Sequence, residues 1–115
     1  MTFSFAARPR RSVLYMPGSN PRALKKARCL AADALIMDLE DAVAPDPKEA
    51  ARHQIAAAIL ERGYGQRELI VRTNSLYSPW GEDDLKAVSG MGADAVLLPK
   101  VEGRGMVLEA MAILD

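Results

Sequence analysis

Residues 32–41 read ADALIMDLED, and this stretch decides the predicted fold. An unbroken aliphatic run followed at once by acids is typical of a strand buried on both faces of a parallel sheet, because such strands lack the polar alternation of half-exposed ones. Similar aliphatic runs stand at residues 13–16, 69–71 and 95–98. The first six residues of the stretch, ADALIM, recur as ADAVLL at residues 93–98, as repeated β/α units would require.

Helix signals separate the four predicted strands. Capping residues and first-turn prolines precede three of the predicted helices, at Asn20-Pro21, at Asp46-Pro47 with Glu49, and at Ser78-Pro79. Gly63 is expected to end the second helix, and a fourth helix is expected from about Gly105 to the end of the chain. The resulting order, βαβαβαβα, predicts an α/β fold with right-handed crossovers between parallel strands.

The number of units sets the expected architecture. Four parallel β/α units are about half of the eight in a TIM barrel. We therefore predict that residues 1–115 form the N-terminal half of one barrel domain, with residues 1–10 as a flexible or extended segment. Because a half-barrel exposes two strand edges, the chain is expected to be a fragment or to pair with another copy.

Composition narrows the classes of protein. Cys29 is the single cysteine, which excludes an internal disulfide and favours a reduced, cytoplasmic compartment. The sequence has no apolar run of the roughly 20 residues that a membrane span needs, and its net charge of zero argues against a general nucleic-acid binder. Residues 1–32 hold seven bases and no acid. This basic start suits a phosphate-bearing ligand, although a solvated basic face has the same pattern.

Polar side chains follow the predicted strands where chemistry gathers in parallel α/β folds. The second strand is followed by Asp38, Glu40 and Asp41, an oxygen-rich group that suits Mg²⁺ or forms ion pairs and caps. Arg72 ends the third strand, and its planar fork suits a carboxylate, either of a substrate or of this acidic group. Because the carboxyl ends of parallel strands share one edge, Arg72 is expected to face the acids there.

Other candidates are given structural roles. Lys100 follows the fourth strand and is expected to act electrostatically or in packing rather than as a Schiff-base lysine. His53 lies off the apolar stripe of its helix and is expected to face solvent. Cys29 is expected to be a packed, inert thiol, and Met106 and Met111 are expected to fill the core.

Five segments together resemble a known family: RSVLYMPGSN at residues 11–20, DLEDAV at 38–43, Lys48 with Ala51-Arg52, VRTN at 71–74 and LPKVE at 98–102. The series is similar to the citrate lyase beta subunit family, part of the HpcH/HpaI aldolase superfamily that includes malyl-CoA lyases. The likeness covers nearly all of residues 10–115, and its motifs are specific as a set rather than one by one.

The resemblance implies a (β/α)8 barrel and a Mg²⁺-dependent carbon–carbon lyase. Such an enzyme cleaves a 3-hydroxyacyl thioester of CoA or of an acyl carrier protein into an acetyl thioester and an α-keto acid such as oxaloacetate or glyoxylate. It also implies a homo-oligomer, with further lyase subunits as candidate partners.

The match to VRTN implies that Arg72 binds the substrate carboxylate and that Asn74 is a second substrate-binding residue. The resemblance further implies that Asp38, Glu40 and Asp41 order metal-bound waters and Arg72, and that CoA phosphates meet the first helix at Arg22 and Lys25.

The family's direct metal ligands are a Glu and an Asp on the fifth and sixth strands, which lie beyond Asp115. We therefore expect no metal ligand in this chain and no turnover by it alone. Two alternatives stay open: a metal-dependent aldolase that acts on free keto acids, and a non-catalytic oligomerising fragment.

Overall fold

Four parallel strands form one sheet in the computed structural model, which describes residues 10–114. The strands lie in sequence order and are β1 (Val13–Pro17), β2 (Ala34–Asp38), β3 (Glu68–Arg72) and β4 (Ala95–Leu97). Each pairs in parallel with the next, and the register sets Asp38 beside Arg72 and Arg72 beside Leu97. The predicted α/β fold of four β/α units is confirmed.

One helix follows each strand. The helices are α1 (Pro21–Lys26), α2 (Lys48–Glu61), α3 (Gly81–Val88) and α4 (Arg104–Leu114). Asn20 caps α1 as predicted, because its Oδ1 accepts the N–H of Ala23 at 3.1 Å. The predicted Asp46 cap is wrong. Helix α2 begins two residues later, Pro47 occupies the N-cap position, and no side chain caps the first turn.

The core lies between the sheet and the helices. Leu35, Met37 and Val71 point from the strands toward α2, where Ile55 is fully buried among them. All five residues of β2 are buried, as predicted. The same prediction is wrong for β1, where residues 13–15 are exposed, because β1 is an edge strand of the described sheet. It is met only in part by β3 and β4, where residues 69–70 and 95–97 are half-buried.

Two further burial predictions are wrong. Helix α4 packs against α3 through Met106 and Ala110, whereas Met111 is 54% exposed because it lies beside that stripe rather than on it. Cys29 is exposed, because the 3₁₀ turn Ala27–Cys29 buries Ala27 and points the thiol outward. His53 faces solvent on α2, as predicted.

The internal repeat has a structural meaning. Asp33, just before β2, accepts the N–H of Arg11 at 2.8 Å, and Asp94, just before β4, accepts the N–H of Leu69 at 2.8 Å. Each aspartate thus ties the start of its own strand to the start of the preceding β/α unit, so the repeated Asp has the same role in both units. Of the predicted flexible segment at residues 1–10, residues 1–9 lie outside the described part of the chain. Arg10 is paired with Glu68 at 2.6 Å.

None of the helices within residues 10–114 combines the length and the apolarity that crossing a membrane would require.

Candidate functional site at the carboxyl edge of the sheet

A largely buried ion pair joins the ends of β2 and β3. The Nε and Nη2 atoms of Arg72 each donate to one carboxylate oxygen of Asp38, both at 2.7 Å. The Asp38 side chain is fully buried, and it also accepts the backbone N–H groups of Glu40 and Ala42 at 2.9 Å each. The parallel register sets the two side chains abreast, so the predicted meeting of Arg72 with the acids at one edge is confirmed.

The electrostatics of this pair follow from its hydrogen bonds. Burial alone would raise the pKa of Asp38, but the Arg72 guanidinium and the two backbone amides outweigh it and hold the pKa below the ordinary 3.8. The same pair raises the pKa of Arg72. Asp38 is therefore a fixed anion whose oxygens are already occupied, which suits holding Arg72 in place and does not suit proton transfer.

Arg72 keeps one end available. Its guanidinium lies 4.8 Å from the centre of the Tyr15 ring, and its Nε and Nη2 atoms are bound to Asp38. No hydrogen bond within residues 10–114 uses Nη1. The free Nη1–Nη2 end of the fork can therefore receive a second carboxylate without displacing Asp38.

Glu40 lies between two cations. One carboxylate oxygen is 2.6 Å from the Lys100 ammonium and the other is 3.6 Å from Nε of Arg72, with the side chain largely buried. Its hydrogen bond raises the pKa of Lys100, the opposite of what a Schiff-base lysine needs. This geometry agrees with the electrostatic role expected of Lys100. Asp41 stands at the rim, 74% exposed and 3.6 Å from Lys100.

The loop between β2 and α2 is held by Lys48, to which the sequence alone assigned no role. Its ammonium donates to the carbonyl oxygens of Leu39, Glu40 and Val43 at 2.9, 2.9 and 3.0 Å and lies 5.1 Å from the Trp80 ring centre. Burial lowers the pKa of Lys48. Because all three N–H bonds are used, Lys48 fixes the backbone that carries the acids. The available sequence signal was the presence of Lys48, with Ala51-Arg52, among the five segments that resemble the family.

A second buried network lies behind β3. Asp84 is fully buried in the first turn of α3 and accepts Arg52 at 2.8 Å through one oxygen. Its other oxygen accepts the backbone N–H and the side-chain Nδ2 of Asn74 at 2.9 and 2.7 Å. Sequence reasoning missed Asp84, because three consecutive acids at residues 82–84 resemble an ordinary helix start and nothing local marks the buried one.

A cavity of about 370 Å³ adjoins these networks. Its walls include Glu40, Asp41, Lys48, Asn74, Trp80 and Lys100. It is contiguous with the Arg72 site through Glu40, which contributes to both. The volume falls in the ordinary range of small-molecule sites.

The first loop reaches this edge through a close approach. The N–H of Gly18 donates to the carbonyl of Asp38 at 2.8 Å, and a Cβ at this position would lie 2.8 Å from that same oxygen. Glycine is thus required where the loop meets β2. Arg22 and Lys25 are exposed on α1, and no ion pair within residues 10–114 holds either of them. Their contact with phosphates stays a prediction.

The acids of this edge do not form a direct metal site. No group of three or more His, Cys, Asp or Glu side chains within residues 10–114 is arranged to hold an ion. Both carboxylate oxygens of Asp38 already accept hydrogen bonds from Arg72 and the backbone. Glu40 is paired with two cations, Arg72 and Lys100. The described residues therefore do not fit Mg²⁺ as direct ligands.

A parallel β/α sheet with a held arginine, a neutralised carboxylate and a cavity at its carboxyl edge is typical of the active-site end of barrel enzymes. The family model described as HpcH/HpaI aldolase/citrate lyase matches residues 11–115. The chain belongs to this family, and the predicted resemblance is confirmed.

Similar proteins include lyases and a thioesterase. The chain is 54% identical over 108 residues to the (3S)-malyl-CoA thioesterase of Cereibacter sphaeroides strain KD131, covering 94% of this chain and 38% of that protein. It is 44% identical over 102 residues to citrate lyase subunit beta of Escherichia coli K12, covering 89% and 34%. The citrate lyase beta subunit of Mycobacterium tuberculosis complexed with oxaloacetate and magnesium superimposes with a TM-score of 0.72 at 36% identity, covering 84% and 41%. The chain thus spans well under half the length of these relatives.

Proposed function

We propose that this chain supplies the N-terminal half of the active site of a Mg²⁺-dependent carbon–carbon lyase of the citrate lyase beta type. The reaction cleaves a 3-hydroxyacyl thioester, carried by CoA or by an acyl carrier protein, into an acetyl thioester and an α-keto acid such as oxaloacetate or glyoxylate. The observation that carries the proposal is the position of Arg72, whose Nε and Nη2 atoms are bound to Asp38 while its Nη1–Nη2 end has no bound carboxylate. The family membership supports the same reaction class.

In this proposal Arg72 binds the carboxylate of the keto-acid portion. The Asp38 pair leaves the Nη1–Nη2 end to make a bidentate contact, and Tyr15 covers one face of the guanidinium. Because Asp38 already fixes the side chain, little rotamer freedom is lost when substrate binds. Glu40 lies between Arg72 and Lys100 and offsets part of the positive charge that these two side chains bring to this edge of the sheet.

Mg²⁺ enters this proposal through relatives, since the Mycobacterium tuberculosis structure is complexed with magnesium. The described residues do not supply ligands for Mg²⁺, so we assign them only to substrate binding and to ordering the side chains at the carboxyl edge of the sheet. The basic residues Arg22 and Lys25 favour a phosphate-bearing carrier over the alternative, an aldolase acting on free keto acids. The chain is further proposed to act as an oligomer.

Titration of oxaloacetate into the chain tests the proposal. Arg72→Lys keeps the charge but loses the planar fork, so oxaloacetate should bind at least about tenfold more weakly. Arg62→Lys, an exposed arginine at the end of α2, is the matched control and should bind like the parent. Retained affinity in Arg72→Lys would contradict the assignment.

A turnover assay tests the placement of the metal ligands. With Mg²⁺ and malyl-CoA or citramalyl-CoA, the chain alone is expected to release no acetyl thioester. Robust release by the 115-residue chain would show that the required ligands lie within it.

A further inference from the structure

The amino ends of the four strands meet at the edge of the sheet opposite to Arg72. The residues at or just before the strand starts form this amino edge, and they are Ser12, Asp33, Glu68 and Asp94. An acid thus stands at the start of each of β2, β3 and β4. The chain ahead of β1 carries the complementary charge, because residues 1–12 contain three arginines and no acid. Electrostatic attraction therefore favours contact between this part of the chain and the amino edge.

Two of the three arginines pair with these acids in strand order. Nε of Arg11 lies 3.3 Å from the carboxylate of Asp33, just before β2. Arg10 forms a bidentate pair with Glu68, the first residue of β3, with Nε and Nη2 at 2.6 and 2.7 Å from its two oxygens. One step back in sequence thus moves the ion pair one strand further from β1. The side chains of Arg11 and Arg10 follow the amino edge in the direction of β4.

A cavity of about 440 Å³ lies beside the starts of β3 and β4. The end of α2 and the turn before β4 border it, and its walls include Ile59, Leu69, Met91 and Asp94. Ile59 belongs to the hydrophobic core and Met91 packs against that core, which makes part of the wall apolar. The Asp94 carboxylate adds a negative charge and accepts the N–H of Leu69 at 2.8 Å. The cavity therefore suits apolar side chains that are carried next to a cation.

A small anion fits this cavity less well. Arg62 and Arg67 line it, but the Arg67 guanidinium donates to the carbonyls of Leu30 and Tyr64. The carboxyl end of α2 also lies at the cavity and carries the negative end of the helix dipole. With Asp94 in the same wall, the cavity lacks the excess of positive charge that binding an anion needs.

The nine residues ahead of Arg10, MTFSFAARP, match the cavity in composition. They include both phenylalanines of the chain, Phe3 and Phe5, and the third arginine, Arg8. Residues two apart in extended backbone point to the same side, and Pro9 favours extended backbone at the residue before it. Nine extended residues reach up to about 30 Å, whereas neighbouring strands lie about 5 Å apart. The segment is therefore long enough to pass from β3 to the cavity.

We propose that residues 1–9 dock on the amino edge, with the Arg8 guanidinium paired with Asp94 and the rings of Phe3 and Phe5 against the apolar wall of the 440 Å³ cavity. This pairing extends the observed series of ion pairs by one strand, to the start of β4. The occupant of the cavity is thus the N-terminal segment of the same chain, which ties the edge strand β1 to the other three strands. The inference is independent of the proposed function, because Arg72 lies at the opposite edge.

Nuclear Overhauser effects (NOEs) in the full chain provide the first test. We expect NOEs from the rings of Phe3 or Phe5 to the methyl groups of Met91 and Leu69. In a mixture of isotope-labelled and unlabelled chains, filtered spectra separate contacts within one chain from contacts between two chains. Absence of these NOEs, or NOEs only between chains, would overturn the inference. Inorganic phosphate should leave the Met91 signal unchanged, and a saturable shift with loss of the NOEs would assign the cavity to an anion instead.

Chymotrypsin digestion provides the second test, because a docked segment is cleaved after Phe5 only when it leaves the cavity. Cleavage after Tyr64, which is buried, reports unfolding of the whole chain in the same digest. Met91→Gln makes the wall polar, so the ratio of cleavage after Phe5 to cleavage after Tyr64 should rise at least about fivefold. Met111→Gln is the matched control, because Met111 is 54% exposed on α4, and its ratio should equal that of the parent.

An unchanged ratio in Met91→Gln would count against docking in the cavity. If this variant does not fold, the NOEs of the wild-type chain decide the question.

Discussion

Replacing Asp38 by asparagine should be one of the costliest single changes at this edge. The carboxylate accepts four hydrogen bonds, two from Arg72 and one each from the backbone of Glu40 and Ala42. An asparagine keeps one accepting oxygen, and its NH2 group then faces donors. Loss of this carboxylate should lower the free energy of unfolding by about 3–5 kcal/mol, because Glu40, 3.6 Å from Nε of Arg72, compensates the largely buried guanidinium only in part. The total free energy of unfolding of a typical domain is about 5–15 kcal/mol, so this loss would be a large part of it.

Urea unfolding followed by circular dichroism measures the loss in the free energy of unfolding. The slope of this free energy against urea concentration should be the same in parent and variant, so that the shift of the midpoint reports the change in stability. Asp41→Asn is the matched control, because that side chain is 74% exposed and its change should cost within about 0.5 kcal/mol. The double variant Asp38→Asn/Arg72→Met should recover part of the lost stability, since it removes the charge that Asp38 compensated.

A cost below about 1 kcal/mol for Asp38→Asn would refute the reasoning, because a pair worth so little is expected only where solvent screens it. Strictly additive effects in the double variant would also refute it. Either result would mean that Arg72 is not held in place by Asp38, and the open end of its fork would lose its significance for substrate binding.

The loss of stability in acid should depend on the same ion pair. Because the pKa of Asp38 in the folded state lies below its ordinary 3.8, the stabilisation by this pair is fully present above pH 3.8 and is lost as the pH falls below it. Asp38→Asn should therefore reduce the change of stability with pH in this range, measured by urea unfolding. A parent and variant with the same acid slope would contradict the assigned pKa shift. Replacing Lys48 by methionine should cost about 2–4 kcal/mol, because three carbonyls lose a charged donor. It should also speed amide hydrogen exchange across residues 39–43, whereas Glu49→Gln on the exposed side of α2 should change neither. Unaltered exchange in the Lys48 variant would show that the ammonium does not hold the loop.

The strands could be predicted because each is an uninterrupted aliphatic run, and their order followed from the helix signals between them. The helix starts were less accurate. Asn20 could be recognised because its cap bond spans three residues, whereas Asp46 failed because the chain enters α2 through Pro47 and Lys48. A cap depends on backbone angles that residue type alone does not specify.

Complete burial was predicted correctly only for β2, which has a neighbouring strand on each side. Of the two interior strands, β2 is fully buried and β3 only in part, whereas Tyr15 on the edge strand is 51% exposed and Met111 is exposed beside its stripe. An apolar side chain reports a preference for burial, and the packed elements around it decide whether that preference is met.

By itself the sequence determined that strands and helices alternate and that Asp38, Glu40 and Arg72 end up on one edge, because parallel strands must bring their carboxyl ends together. Only the tertiary structure decided which side chains form hydrogen bonds with each other. These pairs are Arg72 with Asp38, Lys100 with Glu40, and Asn74 with Asp84. These bonds join residues that lie 34, 60 and 10 positions apart. Their geometry depends on strand register and on how α3 and the loops pack, and no local pattern in the chain contains that information.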